Sequence, residues 1–316
     1  MTPLGLAELS RAQHLELRQA ALHALRDYFR TEGFLEVQTP TFGVCPGLDP
    51  HVHALGQVRG NVGPEHLMTS PEFYLKRLLA DGLTRIFELG AVFRAEELGR
   101  WHEPEFTLLE WYRAHEGLES VMVDTERLLG LTLSVIEERG GRPSHGLELE
   151  PPFPRLTVKE AFRRYAGIQD SSDYAATDPA GYFQTFVDQV DPRLAELPTP
   201  IFLTEFPASQ AALARLSPSD PSVALRFELL AGGVELCNGY DELTDPVVQR
   251  ARFETELERR KLAGEPIYPL PERFLAALQA GMPPAAGNAL GVERLLAVLS
   301  GAPGIAPFYA FTASQH

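Results

Sequence analysis

Only two cysteines, Cys45 and Cys237, occur in the 316 residues. Neither sits in a CxxC or Cys/His spacing, which excludes a disulfide framework and a zinc ribbon. Positive charge is also short: 28 Lys and Arg against 43 Asp and Glu give a formal net charge of −15. Such a field opposes a protein whose main task is gripping a nucleic-acid backbone, and it favours cationic partners. No apolar run reaches the ~18 residues of a membrane span. The N-terminal MTPLGLAELSRAQHLELRQ lacks the apolar stretch of a secretory signal. A soluble cytoplasmic protein is therefore the default expectation. The common nucleotide fingerprints are missing too. Without GxGxxG, GxxxxGKS or GxxxxGKT, neither a Rossmann site nor a P-loop is proposed. Without GxSxG there is no hydrolase elbow.

What is present is apolar residue, 44% of the chain and spread along its length, enough for a sizeable core. The size suits one large domain or about two. Residues 14–32 carry apolar side chains at helical spacing, from Leu15 to Phe29, and Gly33 supplies a stop. FLEVQTP is expected as a short strand ending at Pro40, and residues 43–66 as loop. Pro71 opens a helix that ends at Gly82. Residues 85–96 alternate at period two, with Phe87, Leu89, Ala91 and Phe93 on one face. That pattern places Arg94 and Glu96 together on the other. Residues 105–113 alternate again, with Phe106, Leu108, Glu110 and Tyr112 on one face. The two strands are expected to pair antiparallel around a polar loop.

A helix is expected near 118–138, and helices and turns over 156–200. Residues 225–239 read as a hairpin around Gly232-Gly233, a pair suited to a type I′ turn. In that register Leu230 faces Glu235, and Glu228 lies diagonally on the same face. Further helices follow Asp245-Pro246 and Pro271. GNALGVERLLAVLSG reads as a short strand, then a helix from about Gly291 to Gly301. The assignable pairs are hairpins, so the fold class is α+β with a mainly antiparallel sheet flanked by helices.

Three segments stand out: GFLEVQTP (33–40), FRAEELGRWHEPEFTLLEWY (93–112) and GNALGVERL (287–295). In this order they resemble the three signature motifs of class II aminoacyl-tRNA synthetases. They match as a proline after a strand, an Arg-x-Glu with a loop and a Phe, and a Gly-x-x-Arg at a helix start. With TSPEFYLKRL and GVELCNGYDELTD between them, the resemblance covers roughly residues 20–300 and is nearest the lysyl branch. Too few residues precede the first motif for the anticodon-binding domain of that branch. The pattern is similar to the elongation factor P lysyltransferase family, a lysyl-type catalytic core without its anticodon reader. It implies a single catalytic domain over 1–316, with a helical insertion around 140–200.

The resemblance implies ATP and Mg2+ as cofactors, and (R)-β-lysine or lysine as the amino acid. It further implies elongation factor P as the protein substrate, a homodimer built on the first motif, and no dependence on tRNA or membrane. By resemblance, Arg94 meets the α-phosphate and the substrate carboxylate, and Arg294 the γ-phosphate; these two are the catalytic pair. Glu96 and Phe106 hold adenine, and His102 touches the triphosphate. Glu235, Leu236 and Gly291 complete the nucleotide site. Glu228 and Glu235 resemble the metal ligands, and the hairpin register independently puts them on one face. Glu72 meets the backbone-side amine. Glu110, Tyr112 and Glu242 meet the distal ammonium, with Ser70 and Asn238 at the ends. Ala289 stands where lysyl-tRNA synthetases tend to have Gly.

Two features depart from the pattern. Glu103 stands where Asn is usual, and a carboxylate there repels a triphosphate unless it points away or meets Arg100. The loop at 43–60 matches only through Asp49 and His51. Taken singly, these residues also have plainer readings: a surface arginine, a solvated hairpin face, sheet-surface aromatics, helix-start acids. Two other functions stay open, a truncated lysyl-tRNA synthetase-like enzyme acting on tRNA or another amine, and a non-catalytic regulatory paralogue.

Overall fold

The computed structural model describes residues 9–50, 52–60, 63–139, 143 and 146–315. Its centre is an eight-stranded sheet in the order β1-β5-β6-β11-β10-β9-β8-β7. The strands are β1 (Leu35–Glu36), β5 (Arg85–Phe93), β6 (Glu105–Ala114), β7 (Arg155–Thr157), β8 (Ile201–Pro207), β9 (Val223–Ala231), β10 (Val234–Asp241) and β11 (Ala285–Gly291). Only the edge pairs β1–β5 and β7–β8 are parallel; the interior is antiparallel, as the hairpins suggested.

Helices α1 (Arg11–Thr31), α3 (Leu118–Glu137) and α10 (Val292–Ser300) cover one face. A Ser10/Gln13 capping box starts α1, and His14, Leu17, Ala21, Leu25 and Phe29 form its buried stripe. Phe29 meets Phe87 and Trp111 of the sheet. Phe87 and Leu89 of β5, with Leu109 and Trp111 of β6, point into this core. Period two then sends Glu110 and Tyr112 to the opposite face. There α2 (Glu72–Ala80), α8 (Pro246–Ala263) and α9 (Glu272–Gly281) pack a second core around Phe73, Phe253 and Phe274. Asp245 caps α8, and Pro246 occupies its first turn.

Residues 158–195 hold α4 (Val158–Ala166), α5 (Ser171–Thr177), α6 (Pro179–Thr185) and α7 (Asp191–Ala195), with a π turn over Phe186–Val190. They bury Phe162, Tyr182 and Leu194 against Leu203 and Leu230 near the far edge of the sheet.

The structure differs from expectation in two places. Residues 43–66 are not plain loop: β2 (Phe42–Gly43), β3 (Gln57–Gly60) and β4 (Gly63–Leu67) form a small antiparallel sheet in the order β2-β4-β3. The strand through 85–96 stops at Phe93: Arg94 bridges Ala54 instead, and Ala95 and Glu96 turn, with Glu96 at a positive φ of 63°.

Candidate active site

The site lies on the sheet face away from α1, α3 and α10. Register assembles it: Val92 pairs Phe106 and Glu88 pairs Glu110 across β5–β6. Glu110 also pairs Ala289, which in turn pairs Asn238. Residues from four strands, β5, β6, β11 and β10, thus stand in one row.

At one end are the two arginines. Arg94 follows the last residue of β5, with its amide donating to the Pro104 carbonyl at 2.9 Å. Its guanidinium lies 5.0 Å from the centre of the Phe106 ring, and its Nε donates to the Thr69 carbonyl at 3.3 Å. Arg294 comes from the first turn of α10, whose N-cap is Gly291. It donates to the carbonyls of Trp101 and Glu235, each at 3.1 Å, and its Nη2 lies 2.6 Å from His102 Nε2. Arg294 therefore ties the 94–105 loop to β10. Burial, then the Arg294 charge, pushes the His102 pKa down. A guanidinium can only donate, so Nε2 is the acceptor and the ring is neutral.

At this end one expectation needs correction and two are narrowed. Glu96 does not share a strand face with Arg94; its side chain is 83% exposed, 3.6 Å from His53 Nδ1. Leu236 buries its side chain in the helix-side core, so it can offer a nucleotide only its main chain. Glu103 points away: buried, it accepts a hydrogen bond from the Ala313 amide at 3.0 Å. Arg100 does not meet it, since it reaches the Pro303 carbonyl.

On the hairpin, Gly232 and Gly233 take φ of 57° and 77°, as a type I′ turn requires. Leu230 pairs Glu235, but a bulge between Glu235 and Cys237 sets Asn238 opposite Glu228. Without the bulge Cys237 would oppose Glu228; the extra residue brings Asn238 to that face. Arg226 organises the group, donating to Asn238 at 3.1 Å and to Glu228 at 2.6 Å. Burial, then the Glu235 charge, pushes the Glu228 carboxyl up to about 7. A divalent cation relieves repulsion of this kind, so the pair fits Mg2+ as two oxygen ligands. No group of three or more His, Cys, Asp or Glu suited to a metal occurs among the described residues. Phosphate oxygens and water would complete the coordination.

At the other end three carboxylates converge. Glu110 accepts from the Ser70 and Tyr112 hydroxyls, each at 2.7 Å. Glu72 opens α2, and Glu242 follows β10. Between these two sits Lys76, 1% exposed, with its Nζ 2.5 Å from each carboxylate. The other oxygen of Glu242, Oε1, is buried without a hydrogen-bond partner. Burial, then Glu72, pushes Glu110 up to about 8; burial also raises Glu242 to about 8, in spite of Lys76. Gly287 makes room: a Cβ there would lie 2.3 Å from the Tyr112 ring and 2.9 Å from Glu242 Oε1.

Neither Lys76 nor Gly287 stands out in the sequence. Lys76 looks like one more cation of a helix reading YLKRLL; its local hints are the apolar neighbours Phe73, Leu75 and Leu79 and the i, i+4 spacing from Glu72. His51 lies outside the described residues, and Asp49 uses its carbonyl to accept from the buried Arg260 at 2.7 Å.

Two arginines beyond the strand ends, a carboxylate pair on the β9–β10 hairpin and a buried acidic pocket thus share one face of an antiparallel sheet, an arrangement suited to activating a nucleotide. The chain belongs to the class II tRNA synthetase family: residues 4–315 match the family described as tRNA synthetases class II (D, K and N). Within it, the chain is similar to the elongation factor P–(R)-β-lysine ligase of Vibrio cholerae, 37% identical over 313 residues, 91% of each chain. It is also similar to the Salmonella arizonae protein of the same name, 39% identical over 315 residues and 94% of each chain.

Proposed function

We propose that this protein is an ATP-dependent ligase. It activates (R)-β-lysine, or lysine, as the adenylate and transfers it to a lysine ε-amine of elongation factor P. The observation that carries this reading is the buried carboxylate trio Glu72, Glu110 and Glu242, with Glu242 Oε1 unpartnered. An unpaired buried carboxylate oxygen is costly, and an ammonium is the group that satisfies it. A diamino acid supplies two.

In the first step a carboxylate oxygen of the amino acid attacks the α-phosphorus and pyrophosphate leaves. Arg94 is set to hold the α-phosphate and the amino-acid carboxylate, and Arg294 the γ-phosphate, while Phe106 stacks on adenine. His102 holds the Arg294 fork in place. Mg2+ on Glu228 and Glu235 would neutralise triphosphate charge. In the second step the acceptor amine attacks the acyl carbon, AMP leaves, and the amine loses a proton. Ser70 and Asn238 are assigned to the ends of the amino acid, and Gly291 and the Leu236 main chain to the nucleotide. Glu96 reaches adenine only if the 94–105 loop closes over it.

A homodimer is part of the reading. It is supported by apolar side chains left exposed around the first motif: Leu35, Phe42, Val44 and Val58. No helix among the described residues is long and apolar enough to cross a membrane, and we place the enzyme in the cytoplasm with its translation-factor substrate. Pyrophosphate–ATP exchange tests the first step. Exchange that depends on lysine or β-lysine is expected; none with any amino acid would favour a non-catalytic role.

A further inference from the structure

We propose that Lys76 is a positioning residue that sets the charge of the amino-acid pocket. It cancels one of three buried carboxylates, so that the pocket presents two negative charges to a ligand with two ammonium groups. The inference rests on the pocket reading above.

Lys76 projects from the first turns of α2 into a place where water has no access. Its Nζ bridges Glu72 Oε1 and Glu242 Oε2, each at 2.5 Å. The rings of Tyr112, Tyr240 and Phe274 lie 5.9–6.0 Å from the Nζ and close its remaining sides. Glu110 makes no ion pair with it; its oxygens take Ser70 and Tyr112 instead.

The charges then sum simply. With both raised carboxyls ionised, as a diammonium ligand requires, three carboxylates and one ammonium leave two negative charges, and these face the ligand through Glu110 and Glu242 Oε1. Burial would lower Lys76, but Glu242 and Glu72 outweigh it and keep the lysine charged. Without Lys76, Glu72 and Glu242 would repel each other in a low dielectric, hold their protons more tightly against the ligand or swing apart. Either change removes an acceptor from the substrate. Lys76 pairs with the pocket carboxylates and not with Arg94, Arg294 or Phe106, so its loss is expected to act on amino-acid affinity and not on the chemical step.

The test uses the full chain in steady-state exchange. Lys76→Met keeps the side-chain volume and removes the charge. It is expected to raise the lysine KM about tenfold or more, with kcat and the ATP KM within about threefold. Lys76→Ala is expected to show the same loss, and added n-propylammonium restores the lysine KM while n-propanol does not. A wild-type lysine KM in Lys76→Met overturns the inference. So does a kcat loss at unchanged KM, or rescue by propanol equal to that by propylammonium, which would mean packing and not charge. Wild-type protein without lysine-dependent exchange refutes the pocket reading itself, a separate failure.

Discussion

The Arg294 guanidinium and the His102 ring meet at 2.6 Å although 192 positions separate them in the chain. The neutral imidazole accepts from Nη2 and anchors the fork where a γ-phosphate would lie. Arg294→Ala is expected to cut exchange by about two to three orders of magnitude, since it removes a donor from developing charge. His102→Ala leaves the charge but loosens it, so the ATP KM rises by about tenfold with a smaller change in kcat. Steady-state exchange at varied ATP separates the two. Equal kcat losses in both variants would contradict an anchoring role for His102.

Glu103 gives the opposite forecast. Its carboxylate holds the Ala313 amide, not the nucleotide loop. Glu103→Gln is expected to leave the ATP KM within about twofold and lower the melting temperature by about 2–5 °C, as loss of a charge-assisted hydrogen bond implies. Calorimetry alongside exchange kinetics checks both. A large ATP KM change at constant melting temperature would return Glu103 to the triphosphate.

The acidic pocket predicts a pH dependence whose sign can be worked out. Glu110 and Glu242 are raised from the ordinary 4.5 to about 8 in the free protein. Between those values the folded protein holds protons that the unfolded chain has released. Stability of the free protein therefore falls as pH climbs from about 4.5 through 8. A diammonium ligand needs both carboxyls ionised, so it expels those protons. The lysine KM is expected to fall by up to about tenfold per pH unit for each proton displaced, between about pH 6 and 8. The thermal shift induced by lysine should be larger at about pH 8 than at about pH 6. Calorimetry in two buffers of different ionisation enthalpy reads proton release directly; buffer-independent heats would contradict it.

Ala289 stands in register between Glu110 and Asn238, so its methyl lies on the pocket floor. Ala289→Gly is expected to shift the kcat/KM ratio of lysine over (R)-β-lysine by about tenfold toward lysine, the scale of one methyl in a close-fitting pocket. Competition between the two substrates measures it. An unchanged ratio would remove Ala289 from the specificity determinants.

The strand-borne part of the site could be read from sequence because period two and turn chemistry are local rules. Phe106, Glu110 and Tyr112 follow from alternation, and Gly232-Gly233 gives the hairpin register near Glu235. Other positions escaped because non-local events decide them. The positive φ of Glu96 ends a pattern that counting carries forward, and the bulge at Leu236 shifts Asn238 onto the Glu228 face. The small sheet over 42–67 is hidden by Gly, Pro and His, residues that ordinarily mark loops. Lys76 is only half legible: its i, i+4 spacing from Glu72 is a local rule, but Glu242 arrives from the end of β10 and no spacing connects the two.

Modification of the translation factor itself tests the central claim most directly. Purified elongation factor P, incubated with the enzyme, ATP, Mg2+ and (R)-β-lysine, can be followed by intact-mass and peptide spectrometry, with total tRNA in a parallel reaction. The expected result is one aminoacyl group on a single lysine side chain of the factor and none on tRNA, with the product lost in the Arg94→Ala variant. Unmodified factor beside aminoacylated tRNA would contradict it.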